Sequence, residues 1–166
     1  MAGLLRSPTP RRIESRQNPR VKELRAALTH GGRTASGLIA IEGEHLLLEA
    51  ARSGLRIRTL FLRDGVAAPV HADELFLLPP AVFASVTATE APQGLAALIE
   101  PPPAEPSLVF AGIAPLLLVL AGVQDPGNVG TLLRSAEAFA ASGVLLLPGT
   151  ASPWNPKTLR ASAGSA

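Results

Sequence analysis

Hydrophobic positions along the chain fall into short blocks whose period changes from one block to the next. Val21, Leu24, Ala27 and Leu28 recur at helical spacing, behind Asn18 as a cap and Pro19 in the first turn. His30-Gly31-Gly32 ends that helix, and Arg20, Lys22 and Arg25 fall on its other faces. Gly37–Glu42 (GLIAIE) predicts a strand, and Gly43–Ser53 (GEHLLLEAARS) a helix closed by Gly54. Arg56–Leu62 (RIRTLFL) alternates basic and apolar residues, as a half-buried strand does. Leu75–Leu78 and Leu95–Ile99 predict two more strands, with a short helix over Pro80–Val86 between them. Strands alternating with helices predict a small α/β sandwich.

Four prolines in the six residues Pro101–Pro106 exclude helix interior and central strand, so a stiff linker over 101–114 is expected. Beyond it, Leu116–Ala121 (LLLVLA) is apolar throughout, which predicts a strand of a parallel sheet buried on both faces. A loop over Gly122–Gly130, a helix over Val129–Ala141 and a strand over Val144–Leu147 complete one βαβ unit, with a right-handed crossover expected. Asn155-Pro156 starts a further helix. The expected organisation is a basic flexible arm (1–17), an α/β domain (18–100), the linker, and an incomplete α/β domain (115–166). Two strands and one or two helices cannot bury such strands on both faces, so the chain is expected to stop in mid-domain or to lean on a partner.

Composition sharpens this in three ways. Of the 166 residues 47% are hydrophobic, but only 4% are aromatic, so the core is aliphatic and nucleic-acid contacts would rest on charge rather than on stacking. There is no cysteine, which removes disulfides, thiolate metal sites and thiol nucleophiles and fits a reducing cytoplasm. The net charge of +2 hides an asymmetry: residues 1–33 hold eight basic against two acidic side chains, a net of +6. That distribution suits a polyanion such as nucleic acid, and equally a solvated basic tail. The N-terminus lacks the apolar segment of a signal peptide, and Pro115–Gly122 is too short to cross a bilayer, so a soluble, cytoplasmic protein is expected.

The densest candidate chemistry is Val123–Phe139, at the C-terminal end of a predicted parallel strand, where open α/β sheets bind ligands. Gly122 and Gly127 have P-loop spacing, but Asn128-Val129 stand where the lysine and hydroxyl residue belong. Gly127 and Gly130 fit the end of a dinucleotide fingerprint, but Asp125 occupies its first glycine. What remains is a tight turn, Asn128 beside a helix N-terminus that favours an anion, and Arg134 about one turn on. The bland alternative makes Asn128 the helix cap and Arg134 a solvated helix residue.

The string DPGNVGTLLRSAEAFAASGVLLL resembles the first signature of the SpoU, or TrmH-like, RNA 2′-O-ribose methyltransferases: Asn-x-Gly-Asn-[Ile/Val]-Gly, then Ile-x-Arg-[Thr/Ser]-Ala. It departs at Asp125, where the family has asparagine, and at Ala140, where it more often has glycine. Pro156–Ser165 resembles the second signature, Lys-x-x-Arg-Ala-Ser-x-Gly. SRQNPRVKELRAAL, Ile41–His45 and Ala91–Ala97 resemble the substrate-binding domain often fused ahead of that catalytic domain. The Gly43 and Gln93-Gly94 positions in those strings also suit ordinary turn and capping chemistry.

The resemblance implies an RNA-binding domain like the ribosomal proteins that hold kinked RNA, followed by the first part of a knotted SPOUT α/β domain. The implied reaction moves a methyl group from S-adenosylmethionine to a ribose 2′-hydroxyl of ribosomal or transfer RNA, a displacement that needs no metal. It carries Asn128 and Arg134 over as catalytic residues. A guanidinium hardly ever deprotonates, so Arg134 would clamp a neighbouring phosphate and stabilise an alkoxide rather than act as a base. Gly127, Gly130, Ser162 and Gly164 would wall the reaction site, and Arg20, Lys22, Arg33, Lys157 and Arg160 would contact RNA. The family's third signature, a Gly-Asn-Glu-x-x-Gly loop that forms most of the cofactor pocket, has no counterpart before Ala166, so this chain alone is expected to be inactive. A homodimer is implied for the complete protein. The competing readings are a non-catalytic RNA-binding module and a nucleotide-dependent enzyme, the second disfavoured by the failed phosphate-loop fingerprints.

Overall fold

The computed structural model describes residues 8–87, 89, 92–102, 106–110 and 114–166, and divides into two compact units, Met1–Pro101 and Pro102–Ala166. Residues 1–7 of the expected arm, Ala91, and 103–105 and 111–113 of the expected linker lie outside the described residues. Among the described residues no helix is long and apolar enough to cross a membrane.

The first unit is built on a five-stranded sheet. Its strands are β1 (Arg11–Arg12), β2 (Ile39–Glu42), β3 (Ile57–Arg63), β4 (Glu74–Leu78) and β5 (Leu95–Ile99), in the order β1-β4-β3-β5-β2. β4 runs parallel to both β3 and β1, while β5 is antiparallel to β3 and β2. Side chains alternate between faces, so Phe61, Phe76, Leu78, Ala96 and Leu98 share one core with Val21, Leu24, Ala27 and Leu28 of α1 (Pro19–Thr29). α1 starts where Asn18 Oδ1 accepts from Arg20 N at 2.9 Å, with Pro19 in the first position where no N–H is missed. α2 (Glu44–Arg52) packs against β2 and β5 through Leu46, Leu47 and Ala50. A four-residue α3 (Pro80–Phe83) buries Val82 and Phe83, and turns replace helix over the rest of 80–86.

The expected arm is not free throughout its described part. Arg11 and Arg12 pair with Phe76 and Leu77, Ile13 N donates to Leu77 O at 3.0 Å, and the Ile13 side chain is buried. An edge strand left open at β4 and one apolar residue among polar neighbours account for the docking.

The expected linker is likewise shorter than 101–114. Pro106 opens α4 (Pro106–Val109), because the first position of a helix needs no N–H, and Val109 packs on Gly143 within the second unit.

In the second unit β6 (Leu117–Leu120) and β7 (Gly143–Leu146) pair in parallel, joined through α5 (Pro126–Ala138), and α6 (Pro156–Ser162) follows. Leu120 of β6 is buried with Val129 and Leu133 of α5, beside the half-buried Leu118, Val144 and Leu146. Burial on both faces is not found: Val119 is 51% and Leu145 38% exposed. Their alternate positions point away from α5, on the face where α4 reaches only as far as Gly143 among the described residues.

Candidate active site

The candidate site is built on α5, and its first turn differs from expectation. The helix begins at Pro126, and Asp125, not Asn128, is its cap, with Asp125 Oδ1 accepting from Asn128 N at 2.9 Å. Asp-Pro at the cap and first helical position is a start signal that places the boundary here. The bonds from the backbone N–H of Asn128, the Lys157 ammonium and the backbone N–H of Gly127 hold the Asp125 carboxyl below its ordinary pKa of 3.8. The expected anion site at this helix N-terminus is therefore already taken by the chain's own carboxylate.

α6 lies against α5 because Gly130 lets it. A Cβ on Gly130 would stand 2.5 Å from Thr158 O and 2.6 Å from the Ala161 Cβ. Gly130 is thus a helix-crossing position rather than a surface wall. At the same crossing Lys157 Nζ reaches Asp125 Oδ2 at 3.1 Å, passing over Gly127, whose Cβ would meet Asp125 Oδ1 at 2.9 Å. Asn155 caps α6 by accepting from Lys157 N at 2.9 Å, and Thr158, fully buried, donates to Ser152 O at 3.0 Å.

Arg134 is exposed in the middle of α5, over an open groove of about 410 Å³ lined also by Thr131, Ser135, Ala138 and Ala161. Thr131 Oγ1 donates to Gly127 O at 2.9 Å and Ser135 Oγ to Thr131 O at 3.0 Å, so both hydroxyls turn back on the helix. Among the described residues the Arg134 guanidinium has no ion pair or hydrogen bond. The Asn128 side chain is exposed at the start of the same helix, and Arg160 is exposed in the last turn of α6.

Two expected wall residues lie elsewhere. Ser162 is fully buried, and its hydroxyl donates to Leu159 O at 3.0 Å. Gly164, at φ +96° after the left-handed Ala163, lines a separate hollow with Glu137, Gly143 and Ser165. A Ser165–Glu137 hydrogen bond ties the end of α6 to α5 there. Sequence reasoning missed the Asp125–Lys157 pair, because nothing in either signature shows that they meet.

Residues 115–166 match the SpoU rRNA Methylase family, and residues 18–97 the MRM3-like substrate binding domain. The chain carries a SpoU methylase domain behind an MRM3-like substrate binding domain. It is 37% identical over 158 residues to the 23S rRNA (guanosine(2553)-2′-O)-methyltransferase RlmP of Bacillus subtilis, covering 93% of this chain and 62% of that protein. An S-adenosylmethionine-bound rRNA methyltransferase from Sinorhizobium meliloti superposes with a TM-score of 0.78 at 28% identity, over 94% of this chain and 61% of that one. The SpoU methyltransferase AviRb of Streptomyces viridochromogenes, in complex with the same cofactor, gives 0.78 at 25% identity over 90% and 60%. The chain thus spans about three fifths of the length of these relatives.

The groove beside Arg134 is open to solvent. Its lining has no carboxylate to receive the ribose hydroxyls of S-adenosylmethionine and no enclosing apolar walls for an adenine, so these residues do not fit that group.

In the first unit Arg20 is committed to Glu23 and Glu74, whereas Lys22 is exposed with no partner among the described residues. Arg33 is exposed and bridges to Ile39 through its backbone. The quoted strings Ile41–His45 and Ala91–Ala97 meet through capping, as Gln93 Oε1 accepts from Glu44 N at 2.8 Å beside Gly43 at φ +96°.

Proposed function

We propose that this chain supplies the RNA-binding and hydroxyl-orienting part of a 2′-O-ribose methyltransferase. The substrate is ribosomal or transfer RNA and the methyl donor S-adenosylmethionine, acting in the cytoplasm in a homodimer. The observation that carries the reading is Arg134: a guanidinium without an internal partner, on a helix carrying the SpoU signature, over an open groove. A permanently charged fork of five N–H donors can hold the phosphate next to the target ribose and stabilise the 2′-oxygen as its proton leaves. Asn128, exposed on the same helix, would contribute a carboxamide to the same nucleotide. Lys157 acts mainly by holding Asp125, which leaves Arg160 and Lys22 as the freer RNA contacts.

The test is methyl incorporation into ribosomal and transfer RNA by the protein that carries this chain, with and without Arg134→Ala. Loss of one preorganised donor to developing negative charge is expected to lower turnover by about 10²–10³-fold, with RNA affinity changed far less. Equal turnover in the variant would overturn the role of Arg134. RNA binding without methyl incorporation by the unaltered protein would favour a non-catalytic RNA-binding module.

A further inference from the structure

We propose that the first unit carries a pocket for one unpaired guanine base of the RNA, a reading that rests on the chain being an RNA-binding protein. A hollow of about 650 Å³ lies where the start of α1 faces the ends of β3 and β4. Its inner wall is Thr59, on the face of β3 that carries Phe61 into the α1 core. Thr59 is only 2% exposed, yet its hydroxyl makes no hydrogen bond among the described residues. The oxygen is not sealed in, so the surface it keeps opens into the hollow. A hydroxyl with no partner in the chain is free to bond a ligand's polar atom.

The strand is built to aim groups there. Pairing between β3 and β5 slips from Ile57–Ile99 to Thr59–Leu98, which leaves Arg58 as the extra residue of a bulge. Bulges re-aim side chains. Arg58 Nη1 reaches Asp73 Oδ2 at 3.0 Å and Glu100 Oε1 at 3.5 Å, while Arg56 uses the same two oxygens at 2.9 and 3.9 Å. No hydrogen bond reaches Asp73 Oδ1 or Glu100 Oε2 among the described residues. The hollow thus offers carboxylate acceptors already held in place by arginines, next to guanidinium and hydroxyl donors.

That arrangement selects among the bases. Guanine alone presents two adjacent N–H donors, at N1 and N2, beside an acceptor at O6. The carboxylate oxygens would take the two donors, and Arg58 or the Thr59 hydroxyl would donate to O6. Adenine and cytosine would point a ring-nitrogen lone pair at the carboxylates, and uracil has a single donor. Single-stranded RNA bases are read on this edge when splayed out of a stack.

The test is titration of the full 166-residue chain, uniformly labelled with ¹⁵N, followed by amide resonances. The probes are the 5′-monophosphates of guanosine, inosine and adenosine, with ribose 5-phosphate as the phosphate control. Shifts are expected at Arg58–Leu60, Asp73 and Glu100, with the guanosine nucleotide binding about tenfold more tightly than the inosine one, which lacks the N2 amine. Thr59→Val and Glu100→Gln should each weaken it about tenfold while the spectrum stays dispersed, and Thr59→Val decides if Glu100→Gln unfolds. Equal binding of all four probes, shifts confined to Arg16 and Lys22, or unchanged affinity in Thr59→Val would overturn the pocket. Because the readout is nucleotide binding, such failure leaves the methyl-transfer reading standing, and that reading fails separately through Arg134.

Discussion

Ala140 shows how much one side chain can oppose its backbone. It follows Phe139, the C-cap of α5, at φ +54°, and the turn around it is bonded twice, Ala140 N to Glu137 O at 2.9 Å and Ala141 N to Ala136 O at 2.8 Å. That is a Schellman closure, whose left-handed position favours glycine, the residue the SpoU signature more often has there. Ala140→Gly is expected to raise stability by about 1 kcal/mol or less, the left-handed cost of a Cβ minus the extra chain entropy glycine loses. Thermal unfolding checks this, and a lower midpoint would show that the turn tolerates alanine without strain. The departure at Ala140 was legible in the sequence, but its cost was not, because only the folded helix end shows the positive φ.

At the scale of elements, the two SpoU signatures become one object. α5 and α6 cross at Gly130, and the Asp125–Lys157 pair pins the start of one to the start of the other. The Asp125 carboxyl sits below its ordinary pKa of 3.8 in the folded chain, so it binds protons less readily there than when unfolded. Its stabilising contribution is complete above that value and is lost as the pH falls through the depressed folded value. Asp125→Asn keeps an oxygen to cap α5 but drops the charge, so the variant should lose this part of the acid-dependence of unfolding while keeping its helix content. Identical acid-unfolding profiles for the two proteins would show that the pair is idle. High salt should shrink the difference, since the pair is exposed.

On the scale of the molecule, the basic N-terminal third is less available than its charge suggests. Arg11, Arg12 and Arg20 are engaged by Glu74, Asp64, Glu14 and Glu23, and Arg25 is spent on Ser85. Arg16 and Lys22 keep no such partner among the described residues. RNA affinity measured against salt concentration should therefore separate these residues. Lys22→Ala is expected to reduce the slope of log K against log salt by about 1, and Arg20→Ala by less, since its loss frees Glu74. A larger effect for Arg20 would mean that RNA displaces its internal carboxylates.

Apart from β1 and α4, the order of strands and helices, the cap at Asn18, the helix start at Asn155 and both SpoU signatures were legible in the chain. They rest on local rules: hydrophobic period, capping oxygens, and prolines that fit only at a first helical position. Contacts between residues far apart were not legible, because they depend on which surfaces meet. Folding docked Arg11–Ile13 on the β4 edge, seated Lys157 on Asp125, buried Ser162 and sent Gly164 to another hollow. Periodicity says which side of an element is apolar; it does not say which polar groups that packing will bring within hydrogen-bond reach.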